Sequence, residues 1–305
     1  MARSAMAVGM EARPAPSAVL ELLKPITWFP PMWAFGCGVV SSGVPADGRW
    51  PVIIAGVLLA GPLVCATSQA VNDWFDRHVD AINEPGRPIP SGRIPGPWGL
   101  RIAIAWTALS LLVAGTLGSW VFGAAVFGLA LAWAYSAPPL RLKHNGWWGN
   151  AACGLCYEGL AWITGAAVMS GGAMPDARIF ALAALYSVGA HGIMTLNDFK
   201  SVEGDRRMGV GSLPVRLGIL NAGRVACLFM ALPQFVVMAL LWLWGRPWHA
   251  AGVGMLLAVQ LALMARFLPR PSERALWYSA LGINFFVLGM LVSAFAVRTL
   301  VPVTP

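Results

Sequence analysis

Charged residues are scarce in this chain. Only 11% of its 305 residues are charged, and 13 are acidic, whereas 58% are hydrophobic and the mean hydropathy is +0.67. Soluble domains carry about a quarter of their residues as charges. The composition therefore excludes a soluble globular protein and predicts a membrane protein.

Two other features are missing. The first 25 residues hold Arg3, Arg13 and Lys24 but no sustained apolar run, so we expect no cleavable signal peptide. Of the five cysteines, only Cys153 and Cys156 form a C-x-x-C pair, and no second pair accompanies it. This argues against structural zinc, and we interpret the cysteines as small buried residues.

Long apolar runs are abundant instead. A helix of about 20 residues crosses the ~30 Å hydrocarbon core, and such runs lie at residues 26–45, 51–72, 98–117, 119–136, 147–170, 178–198, 222–244, 248–267 and 276–300. We expect an all-α polytopic membrane bundle of about nine transmembrane helices around a central cavity. Residues 1–25 would be a cytoplasmic segment, and 26–300 a single domain. The tight hairpin at 98–136 is the weakest span prediction; without it the count is eight or seven.

The basic residues orient this topology. With nine spans, most of the 21 Lys and Arg lie on the side of the N-terminus, and those that fall opposite are Arg49, Arg178, Arg246 and Arg298. An excess of positive charge marks the cytoplasmic side. The N-terminus and the loops on its side should therefore be cytoplasmic.

An acidic stretch at residues 72–80 follows an apolar run. If the helix continues past Asn72, then Asp73, Asp76 and Asp80 share one face. Like charges at this spacing repel one another, so a positive partner should lie among them. Carboxylates completed by water and phosphate oxygens are typical of Mg²⁺ sites. The alternative for this stretch alone is a solvated acidic helix end.

The same pattern returns at residues 197–205. Asn197, Asp198 and Asp205 repeat the spacing of Asn72, Asp73 and Asp80, and Ser201 stands in the place of Asp76. A repeat is harder to explain as chance than one copy. Four predicted spans separate the two motifs, so both should lie on the cytoplasmic side. A rim with mixed acids and bases suits a metal and a polyanion, and nucleic acid is not an expected partner.

Three further sites carry candidate residues. Arg141 and Lys143 follow a double proline and could contact phosphate, although ordinary positive-inside charge explains them equally well. Glu158 lies midway along an apolar span, where an ionisable side chain usually faces a cavity or a partner. His191 is a weaker candidate of the same kind, since a lone histidine is more often a hydrogen-bonded core residue.

With these residues in view, the chain resembles the UbiA-type intramembrane prenyltransferases. The N-D-x-x-D-x-x-x-D motif at 72–80, the second acidic motif at 197–205 and the segments at 23–33 and 80–92 carry the resemblance. Residues 69–74 and 145–149 are similar to the branch that makes chlorophylls and bacteriochlorophylls. The resemblance spans about residues 22–297.

The resemblance implies a Mg-dependent transferase. It would esterify the propionate of bacteriochlorophyllide a with geranylgeranyl or phytyl diphosphate, and it would use two Mg²⁺ ions in a bacterial inner (photosynthetic) membrane. The implied catalytic residues are Asn72, Asp73, Asp76, Asp80, Asp198 and Asp205. The five aspartates would hold metal, and Glu203 is left open as a further ligand because Ser201 replaces an aspartate.

The remaining implied residues bind substrates. The diphosphate would be held by Arg141, Lys143, Arg87, Lys200 and Tyr135, and Glu158 and His191 are candidates for the acceptor pocket. Alternative functions are prenyl transfer to chlorophyllide, a quinone precursor or haem. Two non-enzymatic alternatives remain, a membrane transporter and a passive pigment-binding scaffold. A transporter would distribute ionisable residues through its spans, whereas a scaffold would tolerate loss of the acids.

Overall fold

The computed structural model describes residues 13–301 and shows an all-α protein. Within that range the β-type pairing is one isolated bridge, between Asn145 and Gly211. The α-helices are α1 (Pro16–Leu22), α2 (Phe29–Ser41), α3 (Trp50–Asn83), α4 (Trp98–Thr116), α5 (Ser119–Ser136), α6 (Gly146–Met169), α7 (Ala177–Asp198), α8 (Val202–Arg207), α9 (Leu213–Leu217), α10 (Ile219–Leu243), α11 (Pro247–Phe267) and α12 (Pro271–Val297). Short 3-10 turns occupy Pro25–Thr27 and Leu142–His144. The predicted all-α bundle is confirmed.

Eight helices of the described range are long and apolar enough to cross a membrane, namely α3–α7 and α10–α12. The first predicted span, 26–45, is shorter than expected: α2 has 13 residues, which is about 20 Å of helix. The predicted count of nine is therefore approximate. Lys24, just before α2, contacts Asp73 late in α3, so α2 and α3 run antiparallel.

The hairpin between α4 and α5 is present. Its turn is made by Gly118, whose φ of +115° is in a region that side chains rarely adopt. A Cβ there would also overlap the backbone of Gly172 in the loop after α6. Glycine is thus required at this turn for both its conformation and its close backbone contact.

Two long helices contain π-helical segments, Leu59–Cys65 in α3 and Leu155–Leu160 in α6. The first surrounds Pro62, which has no N–H to donate, and the carbonyl of Pro62 accepts a hydrogen bond from Trp106 Nε1 at 3.1 Å. Such segments are often found at functional sites. Residues of both segments line the cavity described below.

Small residues allow the helices to approach closely. At the crossing of α2 and α6, a Cβ on Gly38 would overlap the Trp162 carbonyl, and one on Gly165 would overlap the Phe35 carbonyl. Gly36 and Gly123 have open space instead. The packing explanation therefore holds for some of these glycines and not for all.

Buried polar pairs join helices in the well-packed half of the bundle. Gln234 donates to Gln260 at 2.7 Å between α10 and α11, and Tyr186 lies 2.9 Å from Ser293 between α7 and α12. Such pairs each contribute about 0.6–2 kcal/mol in lipid. The main cavity lies in the other half, between α2, α3, α5, α6 and α7.

Candidate active site

The first acidic motif occupies the last turns of α3. This helix has 34 residues, or about 50 Å, so its end reaches beyond ~30 Å of hydrocarbon. Asp73 and Asp80 are buried at 1% and 7% exposure. Asp73 accepts from Lys24 Nζ at 2.7 Å, and Arg87 Nη1 lies 2.8 Å from Asp80 and 3.4 Å from Asp73. The sequence predicts a positive charge among these carboxylates, and the side chains of Lys24 and Arg87 supply it.

Asp76 faces a different partner. It is ion-paired with Lys143 and accepts from Asn72 Nδ2 at 3.0 Å. Asn72 also contacts Ser136 Oγ at 3.3 Å, at the end of α5. The sequence predicts that the three carboxylates share one face of the helix. In the structure their partners divide them, because Asp73 and Asp80 contact Lys24 and Arg87 whereas Asp76 contacts Lys143.

The second motif begins at the last two residues of α7, Asn197 and Asp198. Asp198 accepts from Asn150 Nδ2 at 3.1 Å. Asp205, on the short helix α8, accepts from Ser201 Oγ at 3.2 Å. Glu203 points to solvent, with 68% of its side chain exposed, and pairs with Arg207 at 3.0 Å. The structure thus places Glu203 outside the cavity wall.

Both motifs border one cavity of about 450 Å³. Its polar wall contains Asn72 from the first motif and Asn197, Asp198 and Lys200 at the second. Below them, Tyr135 lies on α5 and Tyr157 on α6. The two helix ends therefore meet over a common space, which is the arrangement that a shared metal-diphosphate ligand requires.

The segments at the cavity entrance are hydrogen-bonded to each other. Gly146 N donates to Gly211 O at 2.8 Å, which joins the start of α6 to the loop after α8. Arg141 lies within the loop between α5 and α6 and has a left-handed φ of 39°, a conformation that is uncommon outside glycine. Lys143 follows it and reaches Asp76.

The predicted diphosphate-binding residues thus fall into three groups. Arg87 and Lys143 already pair with motif carboxylates, Lys200 and Tyr135 line the cavity, and Arg141 is exposed at the rim.

Glu84 and Arg87 form a second ion pair beside the first motif. Arg87 Nε donates to Glu84 at 2.6 Å. This hydrogen bond lowers the pKa of Glu84 below its ordinary value. The pKa of Arg87 is raised: partial burial lowers it, but the hydrogen bond that Arg87 donates to Glu84 and the charges of Asp73 and Asp80 outweigh that effect. The guanidinium beside the motif is therefore fixed in its charged form.

The structure does not bring the two acceptor-pocket candidates to this cavity wall. Glu158 is 6% exposed in the π-helical segment of α6, and among residues 13–301 its Oε2 finds no hydrogen-bond partner. His191 stacks on Phe229 with ring centroids 4.4 Å apart, and its Nε2 lies 3.2 Å from the Trp147 carbonyl. Their role in acceptor binding stays a prediction.

Several polar residues in or beside the site are absent from the predicted set. Lys24 pairs with Asp73, Asn150 holds Asp198, and Gln69 donates to the Tyr157 hydroxyl at 3.2 Å inside the cavity. Asn150 and Gln69 could have been found as amides within apolar spans. No comparable signal marks Lys24, which is one of many basic residues outside the predicted spans.

The donor chemistry of both motifs fits magnesium. Mg²⁺ takes one or two protein carboxylates and completes its shell with water and phosphate oxygens. Within residues 13–301, the second carboxylate oxygen of Asp73 is buried without a hydrogen-bond partner. The described residues hold no ready group of three or more His, Cys, Asp or Glu for a metal, so substrate oxygens would have to supply ligands.

Comparison with known proteins decides the family. The UbiA prenyltransferase family matches residues 27–296. The chain belongs to that family. This prenyltransferase is 57% identical over 287 residues to the bacteriochlorophyll synthase 33 kDa chain of Cereibacter sphaeroides, covering 94% of this chain and 95% of the relative. It is 55% identical to the protein of the same description from Rhodobacter capsulatus, covering 93% and 94%.

The fold of the prenyltransferase is also shared with a solved structure. A UbiA homolog from Archaeoglobus fulgidus, bound to GPP and Mg²⁺, superposes with a TM-score of 0.64 at 20% identity and covers 92% of this chain and 99% of that one. The fold class and the enzyme class expected from the sequence are confirmed. The prenyltransferase is an integral membrane protein.

Proposed function

We propose that this prenyltransferase esterifies the propionate of bacteriochlorophyllide a with geranylgeranyl or phytyl diphosphate. The observation that carries the proposal is the single cavity bordered by Asn72, Asn197 and Asp198, one end of each acidic motif. The identity to two bacteriochlorophyll synthase chains over nearly the whole length supports the acceptor. A quinone precursor or haem as acceptor has no such support.

We assign metal binding to the aspartates of the two motifs and diphosphate binding to nearby basic residues. Asp73, Asp76, Asp80, Asp198 and Asp205 would hold two Mg²⁺ ions with the donor diphosphate. Bound there, magnesium neutralises the charge that develops on the leaving diphosphate. Lys143 and Arg87 lie within reach of the motif carboxylates, and they would turn part of their hydrogen bonding to phosphate oxygens when the donor binds.

The bond changes need no proton transfer from the protein. The bond between the first prenyl carbon and the diphosphate oxygen breaks, and a carboxylate oxygen of the acceptor forms a new bond to that carbon. A propionate with a pKa of about 4 is already ionised at neutral pH. The chain therefore has to position the two substrates and stabilise diphosphate rather than supply a strong base.

The direct test is ester formation by purified protein. We expect bacteriochlorophyllide a and geranylgeranyl diphosphate to give pigment ester only when Mg²⁺ is present, and we expect Asp73→Asn to lose this activity. Asp47→Asn is a matched control, because Asp47 is an exposed acid in the loop between α2 and α3.

Two outcomes would contradict the proposal. Product formed with 4-hydroxybenzoate but not with bacteriochlorophyllide a would assign a different acceptor. Full ester formation by Asp76→Asn would indicate that the carboxylates are not part of the reaction, as expected for a pigment-binding scaffold.

The location of the enzyme belongs to the same proposal. The excess of basic residues beside both motifs supports a cytoplasmic location for the cavity entrance and the N-terminus. We infer the bacterial inner (photosynthetic) membrane as the site, because the two bacterial relatives are bacteriochlorophyll synthase chains.

A further inference from the structure

Two polar side chains lie in the main cavity beneath the first acidic motif. Gln69 precedes Asn72 by three residues on α3, so it lies about 4.5 Å further into the bundle along that helix. Tyr157 reaches it from α6, where its hydroxyl accepts a hydrogen bond from Gln69 Nε2 at 3.2 Å. Both residues line the cavity. They form a polar pair next to the place where the two motifs meet.

The other polar wall residues below the cavity entrance already donate to protein acceptors. The side-chain amides of Asn72 and Asn150 donate to carboxylates and hydroxyls at the two motifs. The hydroxyls of Thr27 and Ser68 donate to backbone carbonyl oxygens at 2.8 and 2.7 Å. Tyr135 lies at the end of α5, level with the motifs, and is a predicted diphosphate ligand. The polar pair is therefore the set of donors that the motifs do not use.

Each member of the pair has a hydrogen available for a ligand. The Tyr157 hydroxyl accepts from Gln69, and its other contact is the thiol of Cys65 at 3.5 Å. A thiol is a weak hydrogen-bonding group, so the O–H of Tyr157 is available to a stronger acceptor. Gln69 uses one of its two amide N–H groups on Tyr157, and among residues 13–301 the other has no further acceptor. Two donors from different helices thus face the same part of the cavity.

Two neighbouring neutral donors suit a carboxylate that has to react. A carboxylate has about four acceptor positions on its two oxygens, so two hydrogen bonds hold it and leave lone pairs for attack. Hydrogen bonds to a charged group are stronger where water is scarce. A lysine or arginine at this place would also bind the anion, but it would compete for the diphosphate and draw charge from the attacking oxygen. Neutral donors avoid both effects.

We propose that Gln69 and Tyr157 bind the propionate of the acceptor and hold its carboxylate against the first prenyl carbon of the donor. The proposal rests on the proposed function, because it takes the attacking group to be a carboxylate. A propionate oxygen forms the new bond to that carbon while the bond from the carbon to the diphosphate oxygen breaks, and the diphosphate leaves with the electron pair. No proton moves. The pair thus positions the acceptor.

The experiment compares the binding of bacteriochlorophyllide a and of its propionate methyl ester to purified enzyme, followed by pigment absorption. The ester keeps the macrocycle and lacks the negative charge. Gln69→Leu and Tyr157→Phe should each weaken binding of the acid about tenfold, the equivalent of one hydrogen bond to a charged group, and should weaken binding of the ester much less. In turnover, both variants should raise the KM for bacteriochlorophyllide a and leave the KM for geranylgeranyl diphosphate unchanged. Ser68→Ala is the matched control, because Ser68 lines the same cavity but donates its hydroxyl hydrogen to the Cys65 carbonyl.

Equal weakening of acid and ester would show that the pair only shapes the cavity, and it would overturn the inference. An unchanged affinity for the acid in both variants would overturn it as well. If Gln69→Leu does not fold, Tyr157→Phe removes a single oxygen and decides in its place. If the wild type forms no pigment ester, the proposed function fails. The preference for the acid over its methyl ester is measured without turnover, so it tests the propionate site separately.

Discussion

Lys24 is the basic residue that most directly neutralises the first motif. Its backbone is left-handed, with φ of 47°, and its ammonium lies 2.7 Å from the buried Asp73 carboxylate. We expect Lys24→Ala to raise the KM for prenyl diphosphate about tenfold, the equivalent of one charge-assisted hydrogen bond. Arg49→Ala, on the opposite side of the bundle, should not change it. An unaltered KM in Lys24→Ala would show that this ammonium does not contact the donor.

Glu158 and His191 should be dispensable for chemistry. The proposed acceptor is already a carboxylate, so no single base has to remove a proton, and neither residue is among those that line the cavity as the structure describes it. We expect Glu158→Gln and His191→Ala to retain at least part of their turnover in the ester-forming assay. Loss of all turnover in a variant that still binds both substrates would contradict this.

Individual site residues were predictable where their partners follow from local spacing. The three-residue and seven-residue offsets from Asp73 place the first motif on one helix end, and the repeat identifies Asp198 and Asp205. Lys24 and Asn150 were not predictable in the same way. Their partners lie 49 and 48 residues away in sequence, so only the packing of separate helices reveals the contacts.

The crossing of α2 and α6 is the element-scale contact most sensitive to side-chain size. A Cβ on Gly165 would overlap the Phe35 carbonyl, and backbone cannot move aside as a flexible side chain can. We expect Gly165→Leu to destabilise the enzyme by at least the ~1–3 kcal/mol typical of overpacking, measured as a lower thermal unfolding midpoint in detergent. Gly36→Leu on α2 is the matched control, because nothing lies within 4 Å of that position. Equal midpoints for the two variants would contradict the close crossing.

Helix positions were largely predictable from apolar runs, but two features of the helices were not. The short α2 begins at Phe29, after a 3-10 turn that includes Pro25, whereas hydropathy alone continues the span on both sides. The π-helical segment of α6 contains no proline, so nothing in the sequence marks it.

At the scale of the whole molecule, the even number of spans between the motifs predicts that both lie on one side, and the shared cavity agrees with this. The basic residues then predict that this side is cytoplasmic.

The prediction that both motifs lie on the cytoplasmic side can be checked by labelling single cysteines, in a variant without the five native ones, with a membrane-impermeant maleimide. Gly86→Cys and Arg206→Cys, both at exposed positions beside the motifs, should react only when the cytoplasmic face is accessible. Asp47→Cys, in the exposed loop between α2 and α3, should react only from the opposite face. Labelling of Gly86→Cys and Asp47→Cys from the same side would contradict the antiparallel arrangement of α2 and α3 across the membrane, and with it the cytoplasmic mouth.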